Sequence, residues 1–266
     1  MRIFSNFFRF GTALTVAAVA AVTPLSVRAE TPVPAAACVA PADLVRLDHP
    51  LRRAAQRLAA GQPISIVAIG SSSTAGAGAS SPAMSYPNRL ALELKTLFPR
   101  ASIEVINRGV GGETAKDMLA RFSHEVIAEK PDVVVWQVGS NSVLRDQPLE
   151  PAGALIREGL RMLKDAGADV ILMNPQYAPK VIAKHDAELM VDLISLAAKE
   201  ANVDLFQRFA VMRYWRLTEN IPFETFVSSD ELHMNDWSYG CVAKLLAGAI
   251  AEAAMRPTQT AGATAR

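Results

Sequence analysis

The 266-residue chain is poor in the residues that most often give a function away, with two cysteines, four histidines, three tryptophans and an aromatic share of 6%. It also lacks an excess of charge, since 27 lysines and arginines face 26 acidic residues for a formal +1. No basic stripe and no acidic tail stands out, which argues against nucleic acid as a partner and leaves any electrostatic steering of a ligand to local groups. There is no HExxH, no CxxC pair, no P-loop and no GxGxxG in a supporting context, so neither a metal nor a nucleotide cofactor is expected. What is present is apolar bulk: half of the residues are hydrophobic, enough to bury a full core in one domain.

Residues 1–29 read as a secretory signal, with Arg2 and Arg9 in a basic head, an apolar run around Ala13 to Val22, and a small-residue cleavage site at Val27-Arg28-Ala29. The run is short and Ala-rich for a membrane span, although an uncleaved anchor is the competing reading. Export to the periplasm or the medium is therefore the expectation, with no stable membrane insertion after cleavage. Removing the segment takes away three arginines and no acid, so 24 basic residues face 26 acidic ones, a charge of −2. Residues 30–41 are Pro/Ala-rich and read as a tether, 42–256 as the folded domain, and 257–266 as a disordered tail. Cys38 lacks the leucine three residues earlier that a lipidated cysteine requires. Cys38 and Cys241 lie near opposite ends of the mature chain: an oxidising compartment would let them pair, and the alternative is two independently buried thiols.

Along the domain, strand and helix signals alternate. Ile64 to Ile69, Ile103 to Ile106, Val133 to Val138, Val170 to Met173 and Val203 to Phe206 are short, mostly β-branched apolar runs of the kind found in buried parallel strands. Helical patterns follow the first four, at Tyr86 to Phe98, Ala115 to Glu129, Ala152 to Ala166 and Ala183 to Ala201, and a last helix is expected from about Trp237 to Met255. The alternation implies right-handed crossovers and a parallel sheet covered on both faces, a three-layer α/β/α sandwich.

Four patches carry chemistry: Gly70-Ser71-Ser72-Ser73-Thr74, the run Asn107 to Thr114 (NRGVGGET), Gly139-Ser140-Asn141-Ser142, and Asp230-Glu231-Leu232-His233. The first three each follow a predicted strand, where α/β sheets bind ligands beyond the strand carboxyl ends. A serine attacks only when a base takes its proton, and His233, three residues after Asp230, is the histidine best placed for that work. His49, His124 and His185 suit surface roles, and Glu231 is an alternative acid. Ser71 and Ser73 compete with Ser72 as nucleophile. Taken singly, each patch also has a structural reading: a hydroxyl-rich loop, a glycine turn, an Asx-turn, and a polar loop with Asn235 or Asp236 capping the last helix. The GxSxG elbow of α/β-hydrolases is absent, because Thr74 stands two residues after Ser72.

In order and placement, from roughly Pro63 to Ile250, the four patches resemble the SGNH (GDSL-type) hydrolase family, named for its Ser, Gly, Asn and His blocks. The resemblance implies a flavodoxin-like five-stranded sheet in the order 2-1-3-4-5. It implies Ser72 as nucleophile, His233 as base, Asp230 as its orienting acid, and an oxyanion hole made by the backbone N–H groups of Ser72 and Gly112 with the side-chain amide of Asn141. Two positions depart from the family pattern: Ser71 replaces an aspartate that helps hold the loop, and Ser142 stands where many members carry aspartate. The implied activity is a metal-independent esterase working through an acyl-enzyme on small acyl esters, such as O-acetyl groups on a polysaccharide. A lysophospholipase or thioesterase, a glycan O-acyltransferase and a non-catalytic glycan-binding protein are the alternatives on the same fold. Arg145, just after the asparagine block, reads first as a surface salt-bridge residue, with binding of an anionic or glycan substrate as the alternative, and the run Asn174 to Pro179 is expected to line one wall of the cleft.

Overall fold

In a computed structural model, residues 37–256 are described, so the signal and tail expected at 1–29 and 257–266 lie outside the described residues. Five strands form one wholly parallel sheet in the order β2-β1-β3-β4-β5. In chain order the elements are α1 (Ala42–Val45), α2 (Arg52–Ala59), β1 (Ile64–Gly70), α3 (Ser72–Ala75), α4 (Tyr86–Leu97), β2 (Ile103–Gly109), α5 (Ala115–Arg121), β3 (Val133–Gln137) and α6 (Ser140–Leu144). There follow α7 (Leu149–Asp165), β4 (Asp169–Met173), α8 (Pro179–Ile182), α9 (Ala187–Ala201), β5 (Asp204–Phe206), α10 (Arg208–Leu217), α11 (Phe223–Phe226) and α12 (Asp236–Met255).

Successive side chains of a strand point to opposite faces, so a sheet covered on both sides needs apolar residues at every position. The central strands obey this. Ile66, Ala68, Val133, Val135, Ile171 and Met173 join one core with α4, α10 and α12. Val67, Ile69, Val134, Trp136, Val170 and Leu172 join the other with α5, α7 and α9. The three layers and the strand order match the sequence expectation.

The differences are local and have physical causes. The helix expected over Ala115 to Glu129 stops at Arg121, widens into a π turn over residues 122–126, and ends through a 3₁₀ turn at Lys130 with φ +49°. Pro131 follows, and a residue before proline is steered away from the right-handed helical region. Helix α7 starts at Leu149, earlier than Ala152, because Pro151 falls in the first turn, where its missing N–H has no intrahelical partner to lose. The helix expected from Ala183 begins only at Ala187, as α9, after a turn over residues 183–186 that separates it from α8.

Helix α2 turns a short apolar stripe of Ala54 and Leu58, in line with Leu51, to the core, and its N-cap, Leu51, supplies no capping side chain. Asp169 of β4 does this instead, accepting the N–H groups of Arg53 (2.9 Å) and Ala54 (3.0 Å). Asp132, just before β3, accepts Nε of Arg53 and of Arg57, both at 2.9 Å, and the N–H of Ser65 (3.1 Å).

Cys38 and Cys241 form a disulfide spanning 203 residues, which joins the segment before α1 to α12. Nε1 of Trp215 donates to the Val39 carbonyl beside it (2.8 Å). In the chain-entropy view such a long closed loop contributes up to about 5 kcal/mol through the unfolded state.

Candidate active site

The carboxyl ends of β1, β2 and β3 deliver the first three patches to one edge of the sheet. Strand β1 ends at Gly70, and the chain turns at once into α3 with Ser72 as its first residue. Glycine is required at the neighbouring strand end, since a Cβ on Gly109 would lie 2.1 Å from the backbone nitrogen of Ala75.

Of the three serines, only Ser72 is free to react. Ser71 is buried, and both its N–H and its hydroxyl donate to Oε1 of Gln137 at 2.9 Å, while Ser73 is 1% exposed. Thr74 also donates to Gln137 Oε1 (3.3 Å) and meets the hydroxyl of buried Tyr86 (3.2 Å), whose pKa burial pushes up to about 12. Here Gln137 and the two hydroxyls hold the loop, the task the family aspartate performs at the position of Ser71.

Ser72 Oγ lies 2.8 Å from Nε2 of His233, and Nδ1 of His233 lies 2.5 Å from Oδ2 of Asp230. The other carboxylate oxygen, Oδ1, accepts the N–H groups of Leu232 and His233, both at 2.9 Å, and the Ser228 hydroxyl at 2.7 Å. Burial alone would raise the Asp230 pKa. The hydrogen bonds from the His233 ring and backbone, Ser228 and Leu232 outweigh it and hold the carboxyl well below the usual carboxylate range. Asp230 is therefore ionised throughout the neutral range, as a group that fixes a tautomer and balances an imidazolium must be. Glu231 stands at φ +60°, and the ring's Nδ1 is taken by Asp230. His124 and His185 are on the surface, and His49 meets Asp204.

Ser72 and His233 are 161 residues apart, so their contact requires two loops to be docked. Asp236 accepts the N–H (2.8 Å) and the hydroxyl (2.5 Å) of Ser80, and Tyr239 donates to the Ala77 carbonyl (2.6 Å). Asn235 caps α12 with a reciprocal bond to Ser238, which fixes the residues just after His233.

From behind, Gln176 Nε2 donates to the Leu232 carbonyl (3.2 Å), while its Oε1 accepts Ser140 Oγ (2.9 Å) and Nη2 of Arg208 (3.0 Å). Arg208 is wholly buried, its pKa brought down by that burial to about 10, and its Nε donates to the Asn174 carbonyl (3.0 Å). Asn174 Oδ1 accepts the Phe209 N–H (2.9 Å). The amides of Asn174 and Gln176 are therefore turned inward and do not line a cleft wall, which corrects the sequence reading. Both are under 3% exposed.

Gly111 borders Ser72, since a Cβ on it would come 4.0 Å from the Ser72 Cβ, and Gly112 is its chain neighbour, beside Nη2 of Arg145. Gly112 has φ +81°, and its N–H has no acceptor among the described residues. The Ser72 N–H heads α3, where a helix leaves it unpaired. Asn141 donates one Nδ2 hydrogen to the Glu113 carbonyl (2.8 Å), leaving its second free. Among the described residues Arg145 makes no ion pair. Its Nη2 donates to the Gly112 carbonyl (2.6 Å). The sequence reading missed Gln137 and Arg208, which carry no motif of their own, and gave Gln176 a place in the cleft wall instead of behind the His233 loop.

Concavity alone would have misled: a groove of about 570 Å³ lined by Leu58, Phe98 and Met255 lies at the amino ends of β1 and β2, opposite the serine. Among the described residues no three His, Cys, Asp or Glu side chains gather as a metal site, and no helix is long and apolar enough to cross a membrane.

The chain is 35% identical over 94 residues to an acetylxylan esterase of Geobacillus stearothermophilus, covering 32% of this chain and 43% of that protein. It is 28% identical over 120 residues to an arylesterase of Vibrio mimicus, covering 43% and 60%. The matched stretches span about half the length of these two relatives. Among solved structures, a two-domain esterase active on acetylated mannans aligns with TM-score 0.69 and 19% identity over 82% of this chain and 58% of that one. The acetylxylan esterase Axe2 of Geobacillus stearothermophilus aligns with TM-score 0.61 and 22% identity over 70% and 94%. At these identities the structures show a shared fold. Residues 37–256 match the Non-GDSL lipase-like family, whose name suits a chain with Ser71 in place of the aspartate, and the chain belongs to that family.

Proposed function

We propose that this protein is an exported serine esterase that removes small acyl groups, acetyl above all, from a carbohydrate. The observation that carries the reading is the continuous chain Ser72 Oγ, His233 Nε2, His233 Nδ1, Asp230 Oδ2. His233 takes the Ser72 proton as Oγ attacks the ester carbonyl, and Asp230 stabilises the imidazolium that forms. The tetrahedral oxyanion is met by the N–H groups of Ser72 and Gly112 and the free Nδ2 hydrogen of Asn141. Collapse expels the alcohol with the proton from His233, and water, deprotonated by the same ring, then releases the acid from the acyl-serine.

Acetyl esters of glycans are favoured because one relative is an acetylxylan esterase and one fold neighbour acts on acetylated mannans. Export is supported by the signal-like residues 1–29 and by the Cys38–Cys241 disulfide, which suits an oxidising compartment. In the proposed organisation that disulfide staples the end of the tether to the domain at 42–256.

The test is turnover of p-nitrophenyl acetate and a long-chain p-nitrophenyl ester by wild type and Ser72→Ala. Ser72-dependent acetate turnover is expected. A long-chain preference would move the reading to lipid esters, and no Ser72-dependent turnover of either would overturn it.

A further inference from the structure

The loop from Arg108 to Glu113 brings Gly111 to Ser72 with Gly112 beside it, and a single side chain grips both of its ends. The Arg121 side chain, at the end of α5, is 8% exposed. Its Nη2 donates to the Arg108 carbonyl (2.6 Å) and to Glu113 Oε2 (2.7 Å), and its Nε donates to the same Glu113 oxygen (2.9 Å). Nη1 is held by Glu125 Oε2 at 2.7 Å, which fixes the plane of the guanidinium.

Glu113 is also where Asn141 is anchored, because its backbone carbonyl accepts one Nδ2 hydrogen of that amide. Moving Glu113 therefore moves Gly112, its chain neighbour, and releases the Asn141 side chain at the same time. A buried ion pair is a poor source of stability compared with apolar replacements of the same shape. What a guanidinium adds is geometry, since its planar fork fixes direction as well as distance and can bond a carbonyl and a carboxylate at once. Lysine, a single point of charge, cannot hold both ends in that way.

We propose that Arg121 is a positioning residue for the reaction, closing the loop 108–113 so that the Gly112 N–H and the Asn141 amide are aimed together at the oxyanion. The inference rests on the esterase reading above. It concerns the transition state, so it separates kcat from KM: the ground-state ester needs these donors little, whereas the oxyanion needs them placed within a fraction of an ångström.

The experiment is steady-state hydrolysis of p-nitrophenyl acetate by the full chain and by Arg121→Met, Arg121→Lys and Glu113→Gln, with circular dichroism to confirm folding. Arg121→Met is expected to lower kcat by about tenfold to a hundredfold with KM within about twofold of wild type, the cost of misplacing a catalytic group by an ångström or less. Arg121→Lys should recover part of the loss, and Glu113→Gln, which keeps an acceptor, should lose less than Arg121→Met. A folded Arg121→Met with wild-type kcat, or with its loss wholly in KM, would overturn the inference. If Arg121→Met does not fold, Glu113→Gln decides, and an unchanged kcat there would overturn it. A wild type without Ser72-dependent turnover would overturn the esterase reading and this inference with it, whereas an active wild type with unaffected variants would overturn this inference alone.

Discussion

At the carboxyl ends of the strands the buried polar groups are neutral but for two arginines, Arg121 and Arg208, neither of which titrates in ordinary buffers: Ser71, Thr74, Gln137, Ser140, Asn174 and Gln176 hold the Ser72 and His233 loops. At the amino ends they are carboxylates, with Asp132, Asp169 and Asp204 binding α2 and His49. Amides and hydroxyls keep the same donors and acceptors at any ordinary pH, so the frame around the serine does not change as buffers change. Carboxylates titrate, so the opposite end ties stability to pH. One end therefore sets reaction geometry and the other sets much of the pH dependence of folding.

The largest effect that would sharpen this division is at the serine itself. Ser72→Ala should lower p-nitrophenyl acetate turnover by at least about 10⁴-fold while leaving the melting temperature nearly unchanged, because the hydroxyl is spent on His233 and holds no loop. Asn141→Ala should come next, lowering kcat by about 10² to 10³-fold with KM little changed, as loss of one oxyanion donor does. A pure KM effect would make Asn141 a binding residue.

At the other end, Asp132→Ala should cost about 1–3 kcal/mol in urea unfolding, since it leaves the Ser65 N–H without its acceptor and unties the half-exposed Arg53 and Arg57, with kcat at neutral pH unaltered. A loss of activity in the still-folded variant would break the division. The smallest effect is a slope. Burial, opposed by the Arg53 and Ala54 N–H bonds, raises the Asp169 pKa to about 6, and it also raises that of Asp204. The native state then binds protons more tightly than the unfolded chain, so these groups should add stability as pH falls through about 6 toward 4 and withdraw it as pH rises. Asp169→Asn should flatten that slope. Below about 4 the trend reverses, because Asp230 and Asp132 have lowered pKa values and lose their contribution on protonation.

How much of this could be read from the sequence follows the same division. The central strands were legible because burial on both faces demands continuous β-branched runs such as Val133 to Val135, and Asp230 and His233 because their short spacing lies ahead of a helix. Helix α2 was legible only as a short apolar stripe at Leu51, Ala54 and Leu58, since its cap and its charge partners come from Asp132 and Asp169, far along the chain. Helix α10 escaped notice, with no capping side chain at Gln207. Gln137, Gln176 and Arg121 could not be found by motif, because what distinguishes them is whom they touch once the strands are side by side. Ser71 carried a signal in the opposite sense: its departure from the family pattern marked a loop held by other means.

The most direct test of the central claim is intact-mass and peptide mapping after treatment with a fluorophosphonate probe, which reacts with a serine only when a neighbouring base has activated it. The account predicts one adduct, on Ser72, lost in Ser72→Ala and in His233→Ala. No adduct on folded wild-type protein, or an adduct on Ser71 or Ser73, would contradict it.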